Sequence, residues 1–200
     1  MKRTIFIMLL IVSGAFLLGA QTATEPAQPE TSYDYEPIRK GDQLITGGLG
    51  ITIPLFNMTP DGLNKETNIN TGGTGNIGYS RFITSNIALG GEITFAFNTT
   101  LGENLLFYLP LTFRATYALV FDRIHVPLSL GVGGAIQTYN DINYFGLIVK
   151  PEIGAFYQYS PEWSFGGTVD WNIMPEWYKN SADDRTANML AVGFGFRYHF

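Results

Sequence analysis

Residues Thr186 to Phe200 read TANMLAVGFGFRYHF. Taken alternately, Leu190, Val192, Phe194, Phe196, Tyr198 and Phe200 fall on one side. Ala187, Met189, Ala191, Gly193, Gly195, Arg197 and His199 fall on the other. A period of two marks a β-strand with one apolar face and one small or polar face. In water, a strand with so aromatic a face would invite edge pairing and association. The pattern makes physical sense when lipid covers the apolar face and a neighbouring strand takes up the backbone hydrogen bonds.

Seven earlier stretches repeat the alternation. Leu44–Phe56 turns Ile45, Leu49, Ile51, Ile53 and Leu55 outward, and Thr71–Phe82 turns Ile77 and Tyr79 outward. Ile87–Asn98 sends Ile93, Phe95 and Phe97 out against Ala88, Glu92, Thr94 and Ala96 in. Leu105–Leu119, Ile124–Gln137, Phe145–Tyr159 and Trp163–Met174 continue the pattern. Each of the eight is at least as long as the ~9–11 residues a tilted strand needs to cross a bilayer. The connections alternate in length: Asn57–Asn70, Thr99–Glu103, Thr138–Tyr144 and Pro175–Arg185 stand against the tighter Ile83–Asn86, Val120–Arg123 and Ser160–Glu162. Short turns at one rim and longer loops at the other suit an outer-membrane barrel. Aromatic residues fall near both rims. Tyr79, Phe82, Tyr117, Phe121, Tyr157, Tyr159, Trp163, Tyr198 and Phe200 are expected at the rim of the chain ends, and Phe97, Phe107, Tyr144, Phe145 and Trp171 at the other. Two aromatic belts suit a lipid-embedded barrel.

The composition agrees. Hydrophobic residues make up 46% of the chain and charged ones 14%, against about 25% charged in soluble domains. A net charge of −5 without a dense Lys/Arg run removes the electrostatic case for nucleic acid. The lack of cysteine excludes disulfides, thiolate metal sites and a lipid-modified cleavage cysteine. Lys2 and Arg3, the apolar run Ile5–Leu18 and Leu18-Gly19-Ala20 read as a cleaved signal peptide over residues 1–20, with a cut after Ala23 as the alternative. Residues 21–41, rich in Pro, Thr, Glu and Gln, read as a flexible periplasmic segment. Residues 42–200 form the barrel.

The leader, the eight alternating stretches and the ending Gly193-Phe194-Gly195-Phe196-Arg197-Tyr198-His199-Phe200 together resemble the small eight-stranded outer-membrane barrels, the group that includes the OmpA membrane domain, OmpX and OmpW. The resemblance implies an all-β, antiparallel, up-and-down transmembrane barrel in the outer membrane with both ends periplasmic. It also implies a terminal signal at Phe196, Tyr198 and Phe200 that is read by the barrel assembly machinery. Outer-membrane lipid is then the surrounding partner, with the outer loops open to an extracellular ligand. The family includes porins, adhesins, structural anchors and a few enzymes. The expected role is structural or surface interaction, and the alternative is a narrow porin or a hydrophobic-ligand channel of the OmpW type.

Two features bear on the bore. Pro54, Pro110, Pro127 and Pro151 lie inside strands, and proline cannot donate to a ladder, so bulges or broken pairing are expected there. Glu92, Arg114, Lys150, Glu152, Asp170 and Arg197 all share the inward parity. An Arg or Lys facing mid-membrane lipid costs ~2–4 kcal/mol, so inward placement is forced. Three acids and three bases leave the bore near neutral. An eight-stranded bore is only just wide enough for side chains, so the network reads as a salt-bridged plug, or else as a gate whose pairs swap. Two registers stay open across Ser160–Glu162: one sets Glu152 opposite Asp170, the other Lys150.

Other motifs carry less. Gly73-Thr74-Gly75-Asn76-Ile77-Gly78 has G-x-G-x-x-G spacing but precedes a strand, whereas a dinucleotide site needs a following helix. His125 and Ser129 are four apart, unlike the closer His-x-Ser pair of lipid A deacylases. No catalytic residue, metal or cofactor is expected. Trp177 and Tyr178 form either a surface-loop recognition patch or part of the upper belt.

Overall fold

In the computed structural model of the chain, residues 36–64, 67–100, 102, 104–139, 142–177 and 184–200 are described. The leader and residues 21–35 lie outside them. The described chain contains nine strands and no helix: β1 Gln43–Thr59, β2 Gly62–Asn64, β3 Gly72–Phe82, β4 Ile87–Thr99, β5 Leu105–Phe121, β6 Ile124–Tyr139, β7 Ile142–Gln158, β8 Trp163–Glu176 and β9 Arg185–His199. Every neighbour is antiparallel, and β1 pairs with both β3 and β9, so eight strands close into a ring. The ninth, β2, folds back on the end of β1 through a turn at Pro60-Asp61, and Gly62, its first residue, has φ +125°. The stretch read as a plain polar loop therefore begins as a hairpin that continues β1.

The ring is staggered. Paired residues run Ile45, Tyr79, Gly91, Phe113, Val132, Val149, Ile173, Asn188 and return to β1 at Phe56. That offset tilts the strands against the barrel axis. The seam is tied at its last residue: Gln43 and Phe200 exchange backbone hydrogen bonds of 2.9 and 3.0 Å.

The two faces follow the parity of the strands. Leu49, Phe145 and Phe194 are 71%, 70% and 66% exposed on the outside, as lipid-facing residues must be. Several outward glycines lie beneath aromatic rings: Phe95 covers Gly75, Phe97 covers Gly73 and Phe196 covers Gly47. Trp163 packs on Tyr198 (centroids 5.0 Å) and Phe165 (6.1 Å), building the belt at the rim of the chain ends. Two belt assignments are corrected. Phe82 is 2% exposed and points into the bore, as its even position beside Ser80 dictates. Tyr144 shares the parity of buried Ile148 and Lys150 and turns toward the opening, where it lines a vestibule.

The prolines interrupt pairing on one side each. The ladder slips between Pro54 and Phe56 opposite β9. It skips Pro110 opposite β4, Pro127 opposite β7 and Pro151 opposite β8. On the other side Pro110 keeps register with Ala135, Pro127 with Ala118 and Pro151 with Leu130. A strand residue sends its N–H to one neighbour only, so each missing donor breaks one ladder. The strands also run longer than their hydrophobic pattern. The turn read over Val120–Arg123 contracts to Asp122-Arg123, with Asp122 at φ 53°, and β6 and β7 extend to Tyr139 and from Ile142.

Of residues 36–41, counted with the flexible segment, Ile38 anchors the chain while Glu36, Pro37, Arg39 and Lys40 stay exposed. Ile38 is buried with Leu44, Phe82, Ala88 and Ala118. Gly41 N–H donates to the Phe82 carbonyl (2.8 Å), and the Gln158 amide donates to the Glu36 carbonyl (3.4 Å). This short strap lies across the bore at the end where the chain begins.

Glycine placement yields a stability test. A Cβ at Gly133 would strike the Leu111 carbonyl and Thr112 Cα of β5, whereas at Gly91 the nearest atom lies 3.6 Å away. Gly133→Ala should lower unfolding stability by about 1–3 kcal/mol, and Gly91→Ala should change it by less than about 0.5 kcal/mol, in urea unfolding from lipid vesicles.

Candidate functional site

Inward parity brings the charged residues of β4, β5, β7 and β8 to one level of the bore. Glu92 is its centre, 1% exposed. Its carboxylate accepts hydrogen bonds from Arg114 Nη1, Lys150 Nζ (2.7 Å), Asn76 Nδ2 (2.9 Å) and Thr94 Oγ1 (3.2 Å). Arg114 spans the bore, its Nη2 reaching Glu152 (2.6 Å) and Ser129 Oγ (3.0 Å). Lys150 Nζ also lies 3.6 Å from Asp170, which accepts from Asn172 Nδ2 at 2.9 Å.

The register around Ser160–Glu162 is decided: Glu152 stands opposite Asp170. Two acids face each other across the ladder, and the adjacent skip at Pro151 falls beside Lys150, whose ammonium links Asp170 to Glu92. Register and charge coupling are thus separate matters, because a lysine reaches past its cross-strand partner.

Arg197 is placed differently from the other five. It is buried on the same face, yet among the described residues it makes no ion pair within 4 Å. Its guanidinium lies 3.7 Å from the Phe156 ring centroid. A cation over an aromatic face gains electrostatically from the ring quadrupole. The space left among Arg114, Lys150, Glu152, Asp170 and Arg197 is about 40 Å³, room for about one to a few waters.

Apolar layers bound this polar level on both sides. Toward the mouth opposite the chain ends, Tyr108, Ile148, Met174, Met189, Ala96, Ala135 and Ala187 form one buried cluster. Toward the chain ends sit Ile38 and its neighbours. The polar-interior expectation missed both layers. Their signal was present: Tyr108, Ile148 and Met174 share parity with Arg114, Lys150 and Asp170. Charge on that parity was the conspicuous feature, and the large apolar residues between the charges were not.

Near the chain-end layer the structure brings together the two histidines, with ring centroids 6.1 Å apart, although β6 and β9 are not neighbours. His199 Nε2 is 2.7 Å from Ser164 Oγ. Ser164 is wholly buried, so this contact fixes a ring rather than presenting a nucleophile. Ser129 is bound to Arg114 and Thr116 (2.9 Å). The G-x-G-x-x-G stretch lies within β3. Phe196, Tyr198 and Phe200 line the outer face beside Trp163. Trp177 is 56% exposed, and its backbone N–H donates to the Tyr144 hydroxyl at 2.8 Å. Tyr178 lies outside the described residues.

Known proteins share this architecture. A family model without a functional description matches residues 23–198. A Treponema pallidum (strain Nichols) protein of no described function is 35% identical over 192 residues, covering 91% of this chain and 88% of its own. A Borreliella burgdorferi protein is 27% identical over 206 residues, covering 91% of each chain. Among solved structures, Neisserial surface protein A superposes with TM-score 0.61 at 11% identity, over 80% of this chain and 98% of that one. The outer membrane protein OprG from Pseudomonas aeruginosa gives 0.52 at 12%, over 84% and 99%. The fold is that of the small eight-stranded outer-membrane barrels.

Removing one member of a buried ion cluster leaves the others uncompensated, at a cost of about 3–5 kcal/mol. Glu92→Gln should lose about that much in urea unfolding. Asp170→Asn should lose clearly less, since Asp170 is held by one ion pair at 3.6 Å.

Proposed function

The chain belongs to the family matched over residues 23–198, and from that premise we propose that it is an outer-membrane barrel with a structural or surface-interaction role, its bore plugged by the buried ion-pair network. The observation that carries the plug is Glu92, whose buried carboxylate is held by two cations and two neutral donors. Any ion crossing the bore would have to part these pairs and displace the apolar layers above and below them. The exposed apolar girdle and aromatic rims support placement in a lipid bilayer. The signal peptide, export and the assembly signal at Phe196, Tyr198 and Phe200 belong to this reading, as does a periplasmic position for the rim of short turns. The opposite rim, with its longer connections and exposed Trp177, faces outward as the surface for an extracellular ligand. The reading assigns no catalysis and no cofactor.

Two measurements test it. Membrane fractionation should recover the protein with the outer membrane, migrating faster on gels before boiling than after. A protein soluble in the periplasm refutes the location. Planar-bilayer recordings of the purified barrel should show no large steady conductance. A stable open level of porin size would refute the plug and favour the narrow-porin alternative.

A further inference from the structure

Charge on the barrel strands keeps to the inward parity with one exception. The ion network and Arg197 are buried in the bore, and Arg185 lines the vestibule, where it pairs with buried Glu176. Arg81 is the exception. It is the last residue but one of β3 and shares a face with Ile77 and Tyr79, which are 59% and 44% exposed on the outside. Arg81 is itself exposed, and among the described residues its side chain has no ion pair and no hydrogen bond. The acid nearest in the rim sequence, Asp42, turns instead to the Arg39 N–H at 2.7 Å.

Its position explains how a cation is tolerated on that face. The cost of an outward charge falls steeply from the bilayer midplane to the interface, and a long stem carries the guanidinium from apolar surface to the headgroup level. Arg81 stands at the rim of the chain ends, within the aromatic belt. Gln43 faces it across the β1 ladder. Opposed residues have Cβ atoms about 5 Å apart, so both side chains can reach one ligand. The Tyr79 hydroxyl donates to Gln43 Oε1 at 2.6 Å. That contact fixes the amide and, among the described residues, leaves Gln43 Nε2 with both hydrogens to donate.

From this placement we propose that Arg81 and Gln43 form a site for the phosphate of an anionic phospholipid in the leaflet at the chain-end rim. The inference rests on the outer-membrane reading above and adds a specific lipid contact to it. A guanidinium offers two parallel charge-assisted N–H bonds that match two phosphate oxygens, and Gln43 adds a neutral donor beside them. A phosphodiester without a headgroup cation, as in phosphatidylglycerol, keeps its charge for the arginine. A choline headgroup carries its own counter-charge. The occupant is a lipid and not a free anion, because this face is the one turned to hydrocarbon. Ile45 and Ile87, 38% and 39% exposed nearby on the same face, lie where the acyl chains of such a lipid would run.

The test titrates the full chain, folded in detergent micelles, with dioleoylphosphatidylglycerol and dioleoylphosphatidylcholine at equal concentration. The first bound lipid is identified by native mass spectrometry. Phosphatidylglycerol should take that place about fivefold more often. Arg81→Gln should bring the two lipids to equal binding, and Arg81→Lys should keep most of the preference. Gln43→Leu should lower it in part. Arg39→Gln, which removes a strap cation paired with Glu36 at 3.7 Å, should leave it unchanged. If Arg81→Gln loses its heat-modifiable migration, Arg81→Met, which keeps an apolar stem, replaces it. Equal binding by the unaltered chain overturns the site. So does a preference that survives the loss of Arg81, as expected if Arg81 pairs with the chain before Glu36. Displacement of the lipid by an equal concentration of inorganic phosphate overturns the lipid assignment. A chain that reaches no heat-modifiable form in micelles refutes the membrane barrel itself, so the two failures are told apart.

Discussion

The closure of β1 on β9 is the constraint on which the rest of this structure depends. A strand edge in hydrocarbon leaves a row of amide and carbonyl groups without partners, each costing several kcal/mol (roughly). The seam removes that edge from Leu44↔His199 to Met58↔Thr186, with one slip at Pro54. Once the ring is closed, every strand residue faces either lipid or bore. Away from the rims, where Arg81 is exposed at the end of β3, there is no third environment in which to put a charge.

That restriction turns composition into architecture. The inward charges share one narrow bore, and Glu92, Arg114, Lys150, Glu152 and Asp170 meet at one level as a connected group. The group is stabilising only as a whole. Its charges are costly when buried alone, and the mutual pairing together with neutral donors such as Asn76 and Ser129 offsets that cost. The apolar layers on either side strengthen the pairing by excluding water. They lie on either side of the polar level, one cluster toward each end of the bore.

The prolines show how a closed ring tolerates missing donors. Pro110, Pro127 and Pro151 are placed so that one ladder breaks while the other keeps register, and Pro54 lies beyond the end of its β3 ladder. The break at Pro151 lies beside the charge cluster, where the side chains of Lys150 and Glu152 cross the bore. Local loss of backbone pairing coincides with the densest side-chain pairing in the interior. The aromatic rings lying over Gly47, Gly73 and Gly75 act on the opposite face, covering backbone and filling the space a side chain would need.

The alternating pattern alone determined the eight strands of the ring, the in-and-out assignment of most residues and the inward position of the six carboxylates and cations named from sequence. Those properties are local, since a period of two and the cost of charge in lipid need no knowledge of neighbours. Tertiary structure alone decided which charges meet. Glu152 faces Asp170 while Lys150 serves both Asp170 and Glu92, and Arg197 turns to Phe156. Such choices depend on ring stagger and side-chain reach across the bore. Parity already turned Phe82 and Tyr144 inward, but the meeting of His125 with His199 and the packing of Ile38 on Phe82 and Ala118 were likewise invisible in one dimension. Each brings together residues distant in the chain, at a separation set by the closed ring.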